Sequence, residues 1–453
     1  MVKRLRLVAV ATVLLLAVVG TRGAAVAESA PSSDLARVAV EVAKEVEALR
    51  GWKFRAPVAH KFASPGDVRA YLDRQVAEQC PPEKIKRLEI FLRMVGLLPA
   101  DCELKRTMLD LLQEQVGGYY DTEADALYLV DRGEPMPPLV QRVVLAHELT
   151  HALDDQYVDL DAFLKPLLGH SEDLDLTAMS VVEGSATALM TRYMARAALS
   201  GRYDVGQLQQ YADCEARRSR KLVEAPRYFT AVLGAYVCGM EFLARGNLLA
   251  VMAGKGKSVG DNLLAAARDP PRSTEQILHP QKYWDQALRD APVVLDDEAA
   301  TRLLEGDGRW VVHADTVGEL LCAILTNPPG VRRSLLGMNT ASAWTNRGAA
   351  GWGGDRFYLL AAGPDAETAG RSLKDPRGLW ITLWDTPQDR QEFIETYGRG
   401  QRPGGRPLVP LGNLGAVGLF GFGEADASAL VERLRKAPPA MTRDGKPWSP
   451  WAL

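Results

Sequence analysis

The sequence predicts an α+β protein in which a mainly helical region is followed by a smaller region of mixed strands and helices. Between residues 33 and about 267, apolar residues recur mostly at helical spacing. A short hairpin pattern interrupts this region at residues 117–130. Beyond residue 295, short strand-like runs alternate with helices, and seven of the nine tryptophans lie there. This change of character predicts a second domain.

The N-terminus has the pattern of a secretory signal peptide. Lys3, Arg4 and Arg6 precede the apolar stretch Leu7 to Val19, and small residues end at Ala27. The stretch is shorter than the roughly 20 residues that span a bilayer. We therefore expect cleavage after Ala27, no stable membrane insertion afterwards, and a secreted or periplasmic protein.

A mature chain of this length exceeds what one hydrophobic core usually holds, so two domains are expected. The predicted division is a signal peptide at 1–27, an N-terminal helical segment and candidate pro-segment at 28–100, a main domain at 101–294, and an α+β domain at 295–453.

The helical region divides into separate helices at turn and capping residues. Ser64 is a predicted cap for a helix whose apolar side chains are Val68, Tyr71, Leu72 and Val76. In the hairpin, Tyr119, Tyr120 and the run Leu127 to Leu129 flank the polar turn Thr122 to Asp125. Further helices are predicted at Pro82–Val95, Cys102–Val116, Val205–Leu222 and Arg227–Ala244.

The C-terminal region is predicted to alternate between strands and helices, and Gly353 and Gly354 to form a tight turn. Its aromatic residues are typical of a core, and binding of cell-wall polysaccharide is a weaker alternative. The predicted strands are Arg309–His313, Phe357–Ala361, Leu379–Trp384 and Gly415–Phe422, and the predicted helices are Thr316–Leu325, Gln388–Tyr397 and Ala425–Lys436.

The run PPLVQRVVLAHELTHALDDQ contains the pattern HExxH within a helix that begins at two prolines. His147 and His151 are four residues apart, so both imidazoles lie on one face of the helix and can reach the same metal ion. Glu148 lies beside them and can accept a proton from a metal-activated water. The motif predicts a catalytic zinc site.

A catalytic zinc usually has three protein ligands and an open fourth position, so a third ligand is needed. Tyr157 and Asp154 occupy the positions where a metzincin has histidine and glycine, which excludes that arrangement. The segment Asp173–Ala198 predicts a second long helix, in which Glu183 precedes small residues that allow close approach to another helix. Glu183 is the predicted ligand, and the alternatives are Asp159, Asp161, His170, Glu172, Asp173 and Asp175.

These residues resemble the gluzincins, thermolysin-like zinc metallopeptidases in which HExxH and a glutamate on a following helix hold the metal. The resemblance implies that His147, His151 and Glu183 are the ligands and Glu148 is the general base. It also implies a zincin-like domain in which the hairpin strand pairs with an extended substrate. Thr187 replaces the aspartate that follows the ligand glutamate in thermolysin.

The residues that orient the imidazoles must therefore differ from those of thermolysin. Asp154 and Asp155 are the candidates, although both also suit a solvated helix end.

A narrower resemblance covers most of the mature chain. Five runs are similar to those of a largely uncharacterised set of secreted or envelope prokaryotic HExxH proteins: VGGYYDTEADALYLV, AHELTHALDDQ, VVEGSATALM, PPRSTEQILHPQKY and GWGGDRFYLL. This resemblance implies a shared catalytic core and C-terminal region without a known substrate.

The run PPRSTEQILHPQKYW, at residues 270–284, contains further candidates for chemistry. Hydrolysis of a peptide passes through an oxyanion that needs a hydrogen-bond donor, and His279 or Tyr283 could supply it. Both residues are equally compatible with a structural role at the end of a helix.

The cysteines and the charge give weaker constraints. Cys80 with Cys102 and Cys214 with Cys238 are candidate disulfides by proximity, and reduced buried thiols are the alternative. A net charge of −3 with scattered basic residues gives no footprint for nucleic acid.

The sequence thus predicts a secreted zinc peptidase that hydrolyses peptide or protein substrates by a metal-activated water, with Glu148 as general base. Two alternatives remain open: an inactive envelope protein with a structural zinc helix, and a zinc hydrolase of non-peptide bonds.

Overall fold

The computed structural model describes residues 33–79, 81–115, 117–122, 124–130, 137–249, 258–327, 341–399 and 407–451. The fold is α+β, as the sequence predicts. The predicted signal peptide lies outside the described residues. Within the described ranges, no helix has the length and apolar character needed to cross a membrane.

In its described residues, the N-terminal part combines four helices with a three-stranded sheet. Strand β3 lies in the centre, antiparallel to β2 as the hairpin pattern predicts and parallel to β1, which the sequence did not indicate. Ser64 accepts a hydrogen bond from the Asp67 amide and so caps α2 as predicted. The elements are α1 (Ser33–Arg50), β1 (Ala59–Ala63), α2 (Pro65–Gln79), α3 (Pro82–Val95), α4 (Leu104–Gln115), β2 (Gly118–Asp121) and β3 (Ala126–Val130).

The central part is helical, and its helices begin and end close to the predicted residues. The helix with HExxH begins after Pro137 and ends at Asp159, whose φ of 54° is left-handed. Ser171 caps the next long helix by accepting from the Leu174 amide. The elements are α5 (Pro138–Val158), α6 (Leu160–Leu164), α7 (Glu172–Leu199), α8 (Val205–Glu224), α9 (Arg227–Leu243), α10 (Val259–Arg268), α11 (Thr274–Leu278) and α12 (Gln281–Trp284).

The C-terminal part contains a five-stranded antiparallel sheet of order β5-β6-β7-β9-β8 and a smaller sheet of order β11-β10-β4. The elements are β4 (Val294–Leu295), α13 (Asp297–Leu304), β5 (Arg309–Asp315), α14 (Gly318–Thr326), β6 (Trp352–Ala362), α15 (Ala366–Ser372), β7 (Lys374–Trp384), α16 (Pro387–Arg399), β8 (Val409–Leu411), β9 (Gly415–Phe420), α17 (Glu424–Lys436), β10 (Met441–Arg443) and β11 (Lys446–Trp448).

The predicted turn at Gly353 and Gly354 is wrong, because both residues lie within β6 at a shift in its register with β7. A Cβ on Gly354 would lie 2.5 Å from the carbonyl oxygen of Val293. Glycine at this position therefore allows the chain just before β4 to approach β6 closely. This requirement comes from a distant segment, so the local sequence does not reveal it.

One hydrophobic cluster crosses the boundary that the sequence predicts near residue 295. It includes Phe91 of α3, Val232 of α9, and Phe357 and Trp380 of the five-stranded sheet. The Phe91 and Phe357 rings lie 4.7 Å apart between centroids. The division into domains stays a prediction, and the helical and sheet regions share a core.

Neither predicted disulfide is formed, because Cys102 and Cys214 carry free thiols. Cys80 lies outside the described residues. Cys102, Cys238 and Cys322 are buried, which agrees with the alternative of small apolar core residues.

Candidate metal centre

Helices α5 and α7 bring together the three side chains that the sequence nominated as metal ligands. His147 Nε2 lies 3.1 Å from His151 Nε2 and 3.1 Å from Glu183 Oε2. His151 Nε2 lies 3.6 Å from the same carboxylate oxygen. The His151 and Glu183 side chains are fully buried, and His147 is 13% exposed.

This arrangement fits a zinc ion. Bonds of 2.0–2.1 Å at tetrahedral angles separate neighbouring ligand atoms by about 3.3 Å, close to the three distances found here. The second oxygen of Glu183, Oε1, is buried without a hydrogen-bond partner among the described residues. Two imidazoles and a carboxylate are also the donor types that zinc prefers.

The charges in the cluster affect each other strongly. Burial alone would raise the pKa of Glu183, but the two histidines lower it to about 2. The same carboxylate raises the pKa of His151 against the effect of its burial. Two buried carboxylates beside the imidazoles favour a bound cation at this position.

Glu148 lies between this cluster and the three-stranded sheet. It is 8% exposed, and its side chain accepts a hydrogen bond from the backbone amide of Tyr120 in β2. Burial and the Glu183 charge raise its pKa to about 7, although the two histidines oppose this shift. Its Oε2 atom has no partner within the described ranges.

Strand β2 forms the edge of the sheet beside Glu148, because it pairs only with β3 among the described strands. The amide of Val130 donates to the carbonyl of Gly117. In an antiparallel pair, every second residue of a strand hydrogen-bonds to its neighbour, so this bond fixes which residues of β2 face β3. The amides and carbonyls of Gly118 and Tyr120 consequently point away from β3. A Cβ on Gly118 would lie 3.5 Å from Glu148 Cγ, so this open edge borders the candidate base.

Helix α9 contributes Tyr236, which sequence reasoning missed. Burial raises the pKa of its hydroxyl, and the nearby Glu183 and Glu148 carboxylates raise it further. Its ring is nearly parallel to that of His147, with 11° between the planes and 6.2 Å between centroids. Tyr236 lies in an apolar helical pattern, so its residue type and spacing gave no local signal.

The approach of α9 to α7 depends on glycine, in agreement with the predicted role of the small residues after Glu183. A Cβ on Gly184 would lie 2.2 Å from the carbonyl carbon of Gly239. A Cβ on Gly239 would lie 1.8 Å from the carbonyl oxygen of Ser180. The two helices are in backbone contact at this point, which sets Tyr236 against Glu183.

The two aspartates after His151 make contacts other than the predicted ones to an imidazole. Asp154 accepts from Arg50 and Ser185. Asp155 accepts from the Tyr120 hydroxyl at 3.2 Å and from the Leu160 amide at 2.8 Å. The Nδ1 atoms of both histidines are buried without a hydrogen-bond partner in the part of the chain that the structure describes. The aspartates therefore act on the ligand helices rather than directly on the imidazoles.

The structure does not bring His279 to the cluster. His279 Nε2 lies 2.8 Å from Glu319 Oε1 of α14, to which Thr345 also donates. This group lies beside Trp344, which packs against Gly234 on the face of α9 away from Tyr236. Tyr283 donates its hydroxyl to the carbonyl of Asp269. Both contacts are compatible with structural residues, and the oxyanion role of either residue stays a prediction.

Most of the alternative third ligands have partners elsewhere, and His170 is exposed. The side chains of Asp159 and Asp175 accept from backbone amides, and Asp161 accepts from Thr122. Glu172 accepts from Tyr228, and Asp173 accepts from Thr274. Of the nominated residues, Glu183 is the one that meets the histidine pair.

A second acidic cluster joins Glu275, Asp290 and Asp385. Lys282 Nζ lies 2.6, 3.2 and 3.0 Å from their oxygens, and Arg443 pairs with the two aspartates. The lysine ammonium already supplies the positive charge, so this cluster is an ion-pair network and not a metal site.

Comparison with known proteins gives one finding. Residues 302–412 match a family model described as "Domain of unknown function (DUF8575)". The match begins within α13 and ends just after β8, and its description states no activity. Searches of curated proteins and of solved structures found no match.

Proposed function

We propose that this chain is a zinc-dependent peptidase whose metal ligands are His147, His151 and Glu183. The observation that carries the proposal is the convergence of two Nε2 atoms and one carboxylate oxygen at 3.1–3.6 Å from each other. The resemblance of these residues to the gluzincin arrangement supports the same conclusion. When bound, zinc supplies a Lewis acid that polarises a carbonyl oxygen and lowers the pKa of water.

Glu148 acts as the general base. Its carboxylate adjoins the ligand cluster without belonging to it, and the Tyr120 amide holds it in place. In peptide hydrolysis it accepts a proton from the attacking water and donates that proton to the leaving amine. Its unpartnered Oε2 atom is available for both transfers.

The open edge of β2 supports a peptide as substrate. An extended chain can pair with the outward amide of Gly118 and the outward carbonyls of Gly118 and Tyr120, and such pairing requires no particular side chain. The same strand holds Glu148, so pairing there brings the backbone of a peptide to the base. A substrate without an extended peptide backbone makes no such pairing.

Tyr236 is the candidate donor to the developing oxyanion. Its ring stacks beside that of His147, and burial together with the charges of Glu183 and Glu148 raises the pKa of its hydroxyl, so it lies at the ligand cluster. A phenol in this position can donate to the substrate oxygen as negative charge forms there. Tyr236 is thus a further candidate for the role for which the sequence nominated His279 or Tyr283.

The compartment of this peptidase is part of the proposal. The signal-peptide pattern at residues 1–27 supports export, with action outside the cytoplasm as a secreted or periplasmic enzyme.

Metal content and peptidase activity of wild type and Glu148→Gln test the proposal. We expect one zinc per chain in both proteins and cleavage of casein or a quenched peptide library by wild type. Because general acid–base catalysis contributes roughly 10²- to 10⁴-fold, turnover of the variant should fall by that factor. Glu183→Gln should instead reduce zinc content.

His279→Ala is the matched histidine control. It should retain wild-type zinc content, and its turnover tests the oxyanion role that the sequence suggested. If the wild-type protein binds zinc but cleaves no peptide, the proposed peptidase activity is wrong, and the alternative of an inactive envelope protein with a structural zinc helix is supported. Hydrolysis of esters with no cleavage of peptides would support the other alternative.

A further inference from the structure

Arg50, the last residue of α1, carries a buried charge between the two helices that supply the metal ligands. Its side chain and that of Asp154 are each 2% exposed. Arg50 Nη2 donates to both carboxylate oxygens of Asp154, at 2.5 Å for Oδ1, and to Ser185 Oγ at 2.6 Å. Ser185 Oγ in turn donates to Asp154 Oδ2 at 2.6 Å. These three side chains form a closed hydrogen-bonded network.

The network lies within one helical turn of the ligands on both helices. Asp154 follows His151 by three residues on α5, and Ser185 follows Glu183 by two residues on α7. The distance between His151 and Glu183 depends on how α5 sits against α7. A charged cross-link at this level fixes that relation, because a buried carboxylate cannot leave its counter-charge without a large cost.

Helix α1 packs into the same hydrophobic core as α5 and α7. Ala39, Val42 and Val46 are fully buried in a cluster with residues of α5 and α7, such as Val143 and Leu189. Without α1, this apolar face of the metal-binding helices would be exposed to water.

The end of α1 and the chain after it are also attached to α5, α7 and the sheet. The Trp52 ring stacks on Tyr157 with 4.4 Å between centroids, and the Leu49 carbonyl accepts from Arg192 of α7 at 2.9 Å. Strand β1 pairs along its length with β3. A removable pro-segment at 28–100 would take all these contacts with it.

We infer that the segment from α1 to β1 is a permanent part of the mature enzyme, and that Arg50 is a positioning residue that sets the two ligand helices for metal binding. This inference rests on the proposed metal site. If the inference is right, zinc affinity depends on Arg50, which is distant from the metal ligands in sequence and contacts none of them.

The experiment compares Arg50→Met, Arg50→Lys and Ser185→Ala with wild type. Zinc dissociation constants are measured by competition with a chelator, and the visible spectrum of the Co²⁺-loaded protein reports the coordination geometry. Loss of a residue that orients metal ligands typically weakens metal binding by roughly 10- to 100-fold. We expect that loss for Arg50→Met with an altered Co²⁺ spectrum, a smaller loss for Ser185→Ala, and partial rescue by Arg50→Lys. The lysine retains the charge that faces Asp154.

Arg142→Met is the matched control. Arg142 also joins α1, α5 and α7, through Glu41, Glu45 and Tyr193, but does so five residues before His147. This variant should lose thermal stability and keep the wild-type zinc affinity and Co²⁺ spectrum.

Failure of the metal site and failure of this inference give different results. Absence of zinc from wild type would overturn the proposed function itself. If wild type binds zinc and the folded Arg50 and Ser185 variants bind it with the same affinity and spectrum, the positioning role is wrong. Should Arg50→Met not fold, Ser185→Ala decides by the same readouts. Full zinc affinity after proteolytic removal of α1 would refute its place in the mature enzyme.

Discussion

Substitution of Gly239 by alanine tests the contact on which the ligand helix depends. The added Cβ would lie 1.8 Å from the Ser180 carbonyl oxygen, whereas ordinary contact begins near 3.4 Å. Helices α7 and α9 would therefore have to separate by about 1.6 Å, or distort by a similar amount. This displacement moves Tyr236 away from Glu183 and tilts the ligand helix.

Two opposing energies determine the size of the effect. Alanine is favoured over glycine within a helix by about 1 kcal/mol. Overpacking of a rigid core costs about 1–3 kcal/mol, and the clash here is with backbone atoms, which cannot rotate away. A backbone clash places the overpacking cost in the upper part of that range, at about 2–3 kcal/mol, so the net destabilisation should be about 1–2 kcal/mol, together with weaker zinc binding.

Urea unfolding of the metal-free protein and a zinc competition titration measure the two effects. Gly234→Ala is the control, because it adds the same methyl group to α9 on its other face, where the Cβ would meet the Trp344 ring at 2.6 Å. The control should keep wild-type zinc affinity whatever its stability. A Gly239→Ala protein as stable as wild type, or an equal loss of zinc affinity in both variants, would refute this reasoning.

Two further predictions concern buried carboxylates outside the metal centre. Asp355 accepts from the indole nitrogens of Trp352 and Trp380 and from two backbone amides, so Asp355→Asn leaves donors unpaired and should cost roughly 2–5 kcal/mol in urea unfolding. An unchanged midpoint would contradict it. Burial, together with the charges of neighbouring carboxylates, raises the pKa of Asp173 to about 7, so the folded state binds this proton more tightly than the unfolded state. The stability that this proton contributes is present below the unfolded pKa of about 4 and is lost as the pH rises toward 7. Asp173→Asn retains an acceptor for Thr274 and removes the charge. The free energy of unfolding of the variant relative to wild type should therefore increase between pH 4 and pH 7, by on the order of a few kcal/mol. A difference that stays constant across this range would exclude the effect.

The helices could be predicted because their signals are local. Pro137 and Pro138 open α5, and His147 and His151 share a face because an α-helix repeats every 3.6 residues. Glu183 could be nominated because it precedes a glycine in a second long helix and carries a charge where the pattern is apolar. The hairpin could likewise be predicted from a polar turn between two apolar runs.

Local signals of this kind do not predict contacts between elements that are distant in sequence. Strand β1 is a strand because β3 offers it a partner, and Gly353 belongs to a strand because of its neighbours in the sheet. His279 was chosen by residue type, but its surroundings pair it with Glu319. No spacing rule could have indicated Tyr236.

The sequence by itself determined which residues can hold a metal ion and which helices carry them, because residue type and helical period are properties of a short stretch of chain. Only the tertiary structure decided what surrounds those ligands. Arg50 lies 104 residues from Asp154 and 135 from Ser185, and Tyr236 reaches Glu183 through a crossing of helices that depends on two glycines. Such contacts follow from how apolar faces pack over the whole chain, and packing is a collective property that no local pattern records.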